Sequence, residues 1–526
     1  AFAQSAGSFP SRTRPTYGAA NLVATSILFS ARNSAQTIMA GCSDDHGVAL
    51  TSSNSRQSSL SDFLARSSAE ARRIASTPGS NDVVHAFAGN EACDADSICS
   101  ALCMAFLRGE EERYGSAFGV NAGAGQRREG TVVALPVVPI PRADMALRGE
   151  VLVLFDLCGV DPMLVTFIDE IDLSSLQAQG RLRLTLVDHN AVSGPLSGLG
   201  DAVVEIVDHH KDQTEHAHVQ GSARDIAFDA ALGNGKPLVG SCCTMVAERL
   251  MKHRPTLLSS DVARLLLGVI LIDTVNLDAE AKRATPRDIQ AAQELSRRIS
   301  WIPPPASLLV VTGRQNTTAA DNVAHPRTSS DVLFETLRDA KFDPAFWREL
   351  SAEDCLRYDY KQFTPAGSSG RRRRPEDEEE TATCATMAFG MSSVLCRLET
   401  LAEKEGVTEA LVAFAEKRRL DSLIVMTCTF DQTGGETETT MRRELLIFVA
   451  RNDRQRFQDM KAFLEGPQGE FLSLRESDSF SRVAGRGKND GDDRFYVAQW
   501  ELGNTRPSRK QVAPAIMTFY ETLVMD

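Results

Sequence analysis

The sequence predicts an α/β protein, with a mostly parallel sheet flanked by helices in its first module and a smaller α/β module after it. Three observations carry this. Between Leu60 and Pro303, short apolar runs such as VVHAFAG, TVVALPVVPI, RLRLTLVDHN and DAVVEIVDHH alternate with stretches of helical spacing. Acids and histidines gather where those runs end, and in such sheets ligands collect outside the carboxyl ends of the strands. A second set of apolar runs, SLIVMTCTF and RRELLIFVA, follows a break in the pattern.

The chain has 526 residues, enough for two or three domains that each bury a core. Residues 1–59 open without an initiator Met and carry no acid before Asp44, while Arg12, Arg14 and Arg32 are present. Two readings stand for this leader: an organellar transit segment, or a disordered extension. LSDFLARSSAEARRIAS from Leu60 reads as a helix, VVHAFAG as a buried strand and SICSALCMAFL as the helix after it. TVVALPVVPI is another strand. LRGEVLVLFDLCG and MLVTFIDEIDL are apolar runs, and GSCCTMVAERLMKH and DVARLLLGVILIDTVNL are helical or mixed. The first module is thus 60–302. PPPASLLVV and TGRQNTTAADNVAHPR mark a linker over 303–327, and 328–526 form the second module. Inside it, GSSGRRRRPEDEEETAT (near 366–382) is a charged insertion that reads as a solvated loop.

A net charge of -13 argues against a general nucleic-acid surface, and an anionic substrate would need a local group of cations. No apolar run approaches the ~20 residues of a membrane span. The eleven cysteines show no paired CxxC spacing and read as reduced, mostly buried thiols of an intracellular, cytoplasmic protein.

The tripeptide Asp208-His209-His210 closes a strand-like run, and carboxylate oxygen with imidazole nitrogen is an ordinary ligand set for divalent metals. Other acids stand in similar places. GNEACDADS puts Asp94 and Asp96 two apart before a helix, where they serve either a metal or a helix N-cap. LVDHN ends in Asp188, and ILIDTVNL sets Asp273 at the end of a run that does not comfortably bury a lone carboxylate. His189 reads as a packed or hydrogen-bonded histidine, and His216 and His218 as exposed ones.

In this order, GNEACDADS, LVDHN, VDHH and LIDTVNLD resemble the DHH phosphoesterase superfamily. LRYDYKQF and SRKQVAP are similar to the C-terminal domain shared by family II inorganic pyrophosphatases and the exopolyphosphatase/prune group. The resemblance implies an active site in the cleft between the two modules and two divalent ions, Mg or Mn. It implies Asp94, Asp96, Asp188, His209 and Asp273 as metal ligands, with Asp188 bridging. His210 would donate to a phosphate oxygen, with Lys361, Arg509 and Lys510 supplying positive charge. Asn90 and Asp208 are further candidates, Asp208 as an orienter of a histidine. Arg357 would pair with Asp359. Family II pyrophosphatases carry His where this chain has Asn90, so the nearer resemblance is to the exopolyphosphatase/prune group. The implied reaction is hydrolysis of terminal phosphoanhydride bonds of inorganic polyphosphate, by water held and acidified between two metals. Pyrophosphate, short chains or nucleotides are the alternative substrates, and a prune-like protein-interaction role the alternative of another class. Neither nucleic acid nor membrane is an implied partner.

Overall fold

The computed structural model describes residues 59–77, 79–117, 131–232, 235–300, 328–365, 387–432, 439–450, 453–484 and 495–525. The leader (save Ser59), the 303–327 linker and the charged insertion lie outside them.

Helix α1 (Leu60–Ser76) leads into β1 (Val83–Ala88), and α2 (Ala95–Ala117) returns the chain to β2 (Val132–Val138). There follow α3 (Gly149–Leu157), β3 (Thr166–Phe167), β4 (Leu182–Val187), β5 (Val203–Asp208) and β6 (Arg224–Ile226). The six strands form one sheet in the order β3-β2-β1-β4-β5-β6, every pair parallel. In β1 the side chains of Val84, Ala86, Phe87 and Ala88 are wholly buried. Burial on both faces is why these strands read as continuous apolar runs and not as alternating ones. LRGEVLVLFDLCG, which has the same texture, is helical over α3, and MLVTFIDEIDL holds only the two-residue β3.

Helices α4 (Cys242–His253), α5 (Ser260–Asp273) and α6 (Pro286–Ser296) complete the first lobe. Helix α5 buries Leu265, Leu266, Leu267, Val269 and Ile270, nearly its whole circumference. A Cβ on Gly268 would lie 2.8 Å from Leu154 of α3 and 3.0 Å from Leu337 of α7 (Ser329–Lys341), so only glycine lets three helices meet there. Leu333 and Leu337 thereby join the first lobe's core, although α7 follows the linker. After α5 the chain turns through three successive left-handed residues, Val275, Asn276 and Leu277, with φ of 53°, 57° and 61°. Asn276 closes this turn, its N–H bonding Leu271 O at 2.7 Å and its Nδ2 bonding Asp331 of α7 at 2.8 Å.

In the second lobe, α8 (Ala352–Arg357), β7 (Tyr360–Phe363) and β8 (Phe389–Val394) come first, then α9 (Val407–Lys417), β9 (Ser422–Thr427) and β10 (Glu444–Ala450). Helix α10 (Arg454–Glu465), β11 (Leu474–Glu476), β12 (Phe495–Leu502) and α11 (Arg509–Met525) close it. Its sheet runs β11-β12-β10-β9-β8-β7, with β8 and β9 parallel and the other neighbours antiparallel. Phe389 is wholly buried in the core on this sheet, stacked between Phe363 (5.0 Å) and Tyr520 of α11 (5.1 Å). Among the described residues all nine cysteines are free and eight are buried, and no helix is long and apolar enough to cross a membrane.

Candidate metal centre at the sheet's switch point

The strand order reverses between β1 and β4, and the first sheet's acids meet at the carboxyl ends of those strands and of β5. Gly89 makes the approach possible. A Cβ there would lie 2.5 Å from Ser97 Cβ, so a side chain would push α2 off the strand end. Asp94 Oδ1 accepts the Ser97 N–H at 3.0 Å, so Asp94 is an N-cap as well as a member of the cluster. Asp96 binds the start of α4, accepting from Ser241 Oγ (2.8 Å), Cys242 N (2.7 Å) and Cys243 N (2.9 Å).

Asp188 sits just past β4 in the left-handed region, at φ 63°, which Asp tolerates better than most residues. Its Oδ2 accepts from Ser97 Oγ (2.7 Å) and Asn90 Nδ2 (2.8 Å). Its Oδ1 lies 3.2 Å from His209 Nε2 and 3.6 Å from His210 Nδ1. Asp188, His209 and His210 can bring one ligand atom each within 4.8 Å of one another. His209 donates Nδ1–H to the Val239 carbonyl at 3.1 Å. That fixes the tautomer and turns Nε2 toward Asp188 and toward Asp96 Oδ2, which is 3.8 Å away. His210 Nδ1 bonds Asp208 Oδ1 at 2.8 Å, and Asp208 also takes the N–H groups of His209 (2.7 Å) and His210 (3.1 Å). Asp208 therefore orients the two histidines and does not face the cluster. His189, next to Asp188, bonds the Val187 carbonyl at 3.0 Å, in keeping with a packed histidine.

The electrostatics suit a bound cation. Burial first, and then the Asp96 and Asp94 charges, push the Asp188 carboxyl up to about 7. Burial and the charges of Asp96 and Asp94 likewise push Asp273 well above the carboxylate range. His209, which burial alone would lower, is raised to about 9 by its contact with Asp188. Asp188 Oδ1 and Asp273 Oδ2 are buried without a hydrogen-bond donor among the described residues. Such oxygens are costly to bury unpaired, and a divalent cation is the partner that oxygens and an imidazole suit best.

The second lobe supplies cations. Arg509 at the start of α11 grips Asp359 through its carbonyl (2.8 Å) and carboxylate (2.7 Å). The expected partner of Asp359 was Arg357, which instead pairs with Asp144 at 2.6 Å and with Asp354, because α8 points it at the loop before α3. Lys361 of β7 bears on Asp94 and Asp188, and Lys510, which is exposed, bears on Asp94 and both histidines. A further cation, Lys341, was not singled out from the sequence. Burial would lower its ammonium, but Glu150 (3.5 Å away), Asp94 and Asp273 raise it. It ends an ordinary amphipathic helix, and nothing in that pattern distinguishes it.

A family model described as the DHHA2 domain matches residues 335–519. The human exopolyphosphatase PRUNE1 is 28% identical over 368 residues, 69% of this chain and 63% of its own length. A Schizosaccharomyces pombe protein that bears a provisional exopolyphosphatase name is 25% identical over 480 residues, 87% of this chain and 97% of its own. The second lobe thus matches a DHHA2 domain, and the chain as a whole is similar to proteins of the exopolyphosphatase/prune group. It spans 63% of the length of the human relative. Among solved structures, a Methanococcus jannaschii protein provisionally assigned as a family II inorganic pyrophosphatase overlays with a TM-score of 0.45 at 16% identity, covering 84% of this chain and 99% of that one. In the tripeptide Asp208-His209-His210 the carboxylate holds the His210 ring and the His209 backbone, while the Val239 carbonyl holds the His209 ring.

Proposed function

We propose that the chain is a metal-dependent hydrolase of phosphoanhydrides, an exopolyphosphatase that releases terminal phosphate from inorganic polyphosphate. The observation that carries this reading is the pair of buried carboxylate oxygens without a hydrogen-bond partner among the described residues, on Asp188 and Asp273, with His209 Nε2 3.2 Å from that of Asp188. Asp94, Asp96, Asp188, Asp273 and His209 Nε2 would hold divalent ions, Mg or Mn, which supply the Lewis acidity that makes water a nucleophile near neutral pH.

The chain's own groups do the rest. Lys361, Arg509 and Lys510 receive the phosphate chain as positive charges, Arg509 held in place by its grip on Asp359. His210 has its Nδ1–H committed to Asp208. With that face fixed, a proton on Nε2 would point into the cleft. Burial lowers the ring to about 3 in the substrate-free protein, and a polyanion beside it would raise it again, so the proton arrives with the substrate and can pass to the departing phosphate oxygen.

The test is phosphate release from long-chain polyphosphate, tripolyphosphate, pyrophosphate and a cyclic nucleotide, with Mg or Mn. Long chains should be consumed with steady release of single phosphates. Strong preference for pyrophosphate would replace the reading with a pyrophosphatase, and release from none of them would end it in favour of an interaction protein.

A further inference from the structure

Arg148 stands at the start of α3, and only 2% of it is exposed. Its guanidinium reaches back to the loop between β1 and α2. Nε donates to the Cys93 carbonyl at 2.8 Å and Nη2 to the Ala92 carbonyl at 2.7 Å. Ala92 and Cys93 are themselves buried, and a buried carbonyl left unpaired is costly. Cys93 is left-handed at φ 48°, and its N–H turns back to the Asn90 carbonyl at 3.1 Å, so the chain makes a tight turn immediately before Asp94. The ring of Tyr358, from the second lobe, lies 5.3 Å from the guanidinium carbon. Nη1 is buried without a hydrogen-bond partner among the described residues. A buried guanidinium is expensive to keep, and this one spends its hydrogen bonds on the backbone of the one loop that delivers Asp94.

We propose that Arg148 is a positioning residue of the metal centre: it fixes the backbone that delivers Asp94, and the Tyr358 ring steadies it, so that the second lobe takes part in building the first lobe's metal site. This rests on the reading of the acids as metal ligands. Arg148 bonds no ligand atom, so it acts through Asp94. Asp96, two residues further on, is fixed independently by Ser241, Cys242 and Cys243 at the start of α4. A lysine at 148 keeps the charge but not the planar fork that bonds both carbonyls at once.

Mn binding to the metal-stripped protein, followed by the electron paramagnetic resonance of free Mn and without any substrate, tests this. Arg148→Lys should weaken Mn affinity about 10- to 100-fold, the scale of a lost orienting partner. Asp94→Asn, which can still cap α2, should weaken it too. The double variant should bind no more weakly than Asp94→Asn alone, because both changes act on one carboxylate. Tyr358→Leu leaves the guanidinium in place and removes the ring beside it. It should weaken Mn binding about two- to five-fold, and it reads the same grip where Arg148→Lys does not fold. Wild-type Mn affinity in Arg148→Lys and Tyr358→Leu would overturn the proposal. So would losses that add in the double variant, which is what an arginine that merely stabilises the fold would give. Weakened Mn binding in Arg148→Lys, with no turnover of any phosphoanhydride by the wild type, would uphold Arg148 and sink the functional reading alone.

Discussion

Ser97 Oγ donates to Asp188 Oδ2 over 2.7 Å, joining the first turn of α2 to the end of β4. One hydroxyl thus aims a carboxylate presented by another element, and its backbone N–H binds Asp94 as well. Ser97→Ala should keep the helix, since Asp94 still caps it, and lower metal affinity about 10- to 100-fold, as loss of an orienting partner commonly does. A metal titration checks this. Tight binding in the variant would mean that Asp188 is held without Ser97.

The acids and His209 make the metal-free protein pH-sensitive. Asp188 is raised to about 7, so the folded state holds a proton that the unfolded chain has already lost, and its ionisation destabilises the fold as pH climbs toward 7. His209, raised to about 9, contributes stability that is complete below about pH 6.5 and is lost as pH rises through 9. His210, lowered to about 3, acts in the opposite sense, but only below about pH 6.5. Thermal melting in chelator should therefore fall between about pH 6.5 and 9. Saturating Mn should flatten that fall, because the ion takes the proton's place. Equal slopes with and without metal would contradict the assignment of His209.

Asn90 is an orienter in this structure, with Nδ2 on Asp188 and Oδ1 on the Ala92 N–H at 2.9 Å. Asn90→His puts an imidazole at the same carboxylate. Activity with Mn relative to Mg should rise, since imidazole favours transition metals, and pyrophosphate hydrolysis should gain on polyphosphate. An unchanged Mn-to-Mg ratio would show that position 90 does not reach the metal.

Arg509→Lys should cost about 10- to 100-fold in kcat/KM, because a lysine cannot keep the two-pronged grip on Asp359 that positions this cation, and Lys510→Ala should raise KM. Both should retain full metal content by elemental analysis. Loss of metal in either would undo the division of labour between the lobes.

Tyr358 Oη sits 3.2 Å from both oxygens of Glu150, which is 2% exposed. Tyr358→Phe leaves that buried carboxylate with one fewer donor and should destabilise the protein by about 1–3 kcal/mol. Chemical denaturation measures it, and a change below a few tenths would mean that Lys341 alone satisfies Glu150.

Much of this was legible because the central strands of the first sheet are largely buried and lead into residues that burial alone would not favour. Val83–Ala88, Leu182–Val187 and Val203–Asp208 are apolar runs followed or ended by Asn90, Asp188 and Asp208. Composition could not separate α3 from a strand, because a short buried helix and a buried strand share the same apolar texture. Lys341 was illegible for another reason. It matters through Glu150, a partner far away in the chain, and no local spacing encodes such a meeting. Arg357 illustrates the converse. Its neighbour in sequence, Asp359, belongs to Arg509, and its own partner Asp144 lies in the other lobe.

The left-handed turn at Val275, Asn276 and Leu277 costs on the order of 1–2 kcal/mol per residue when it forms alone. It is held by Asn276, whose side chain reaches Asp331. Asp273 stands two residues before that turn, at the end of a helix that α7 helps to bury. A chain cut at 302 would carry every ligand candidate and lack the Asp331 that holds the turn, so the second module brings a support for the first lobe's acids as well as the cations.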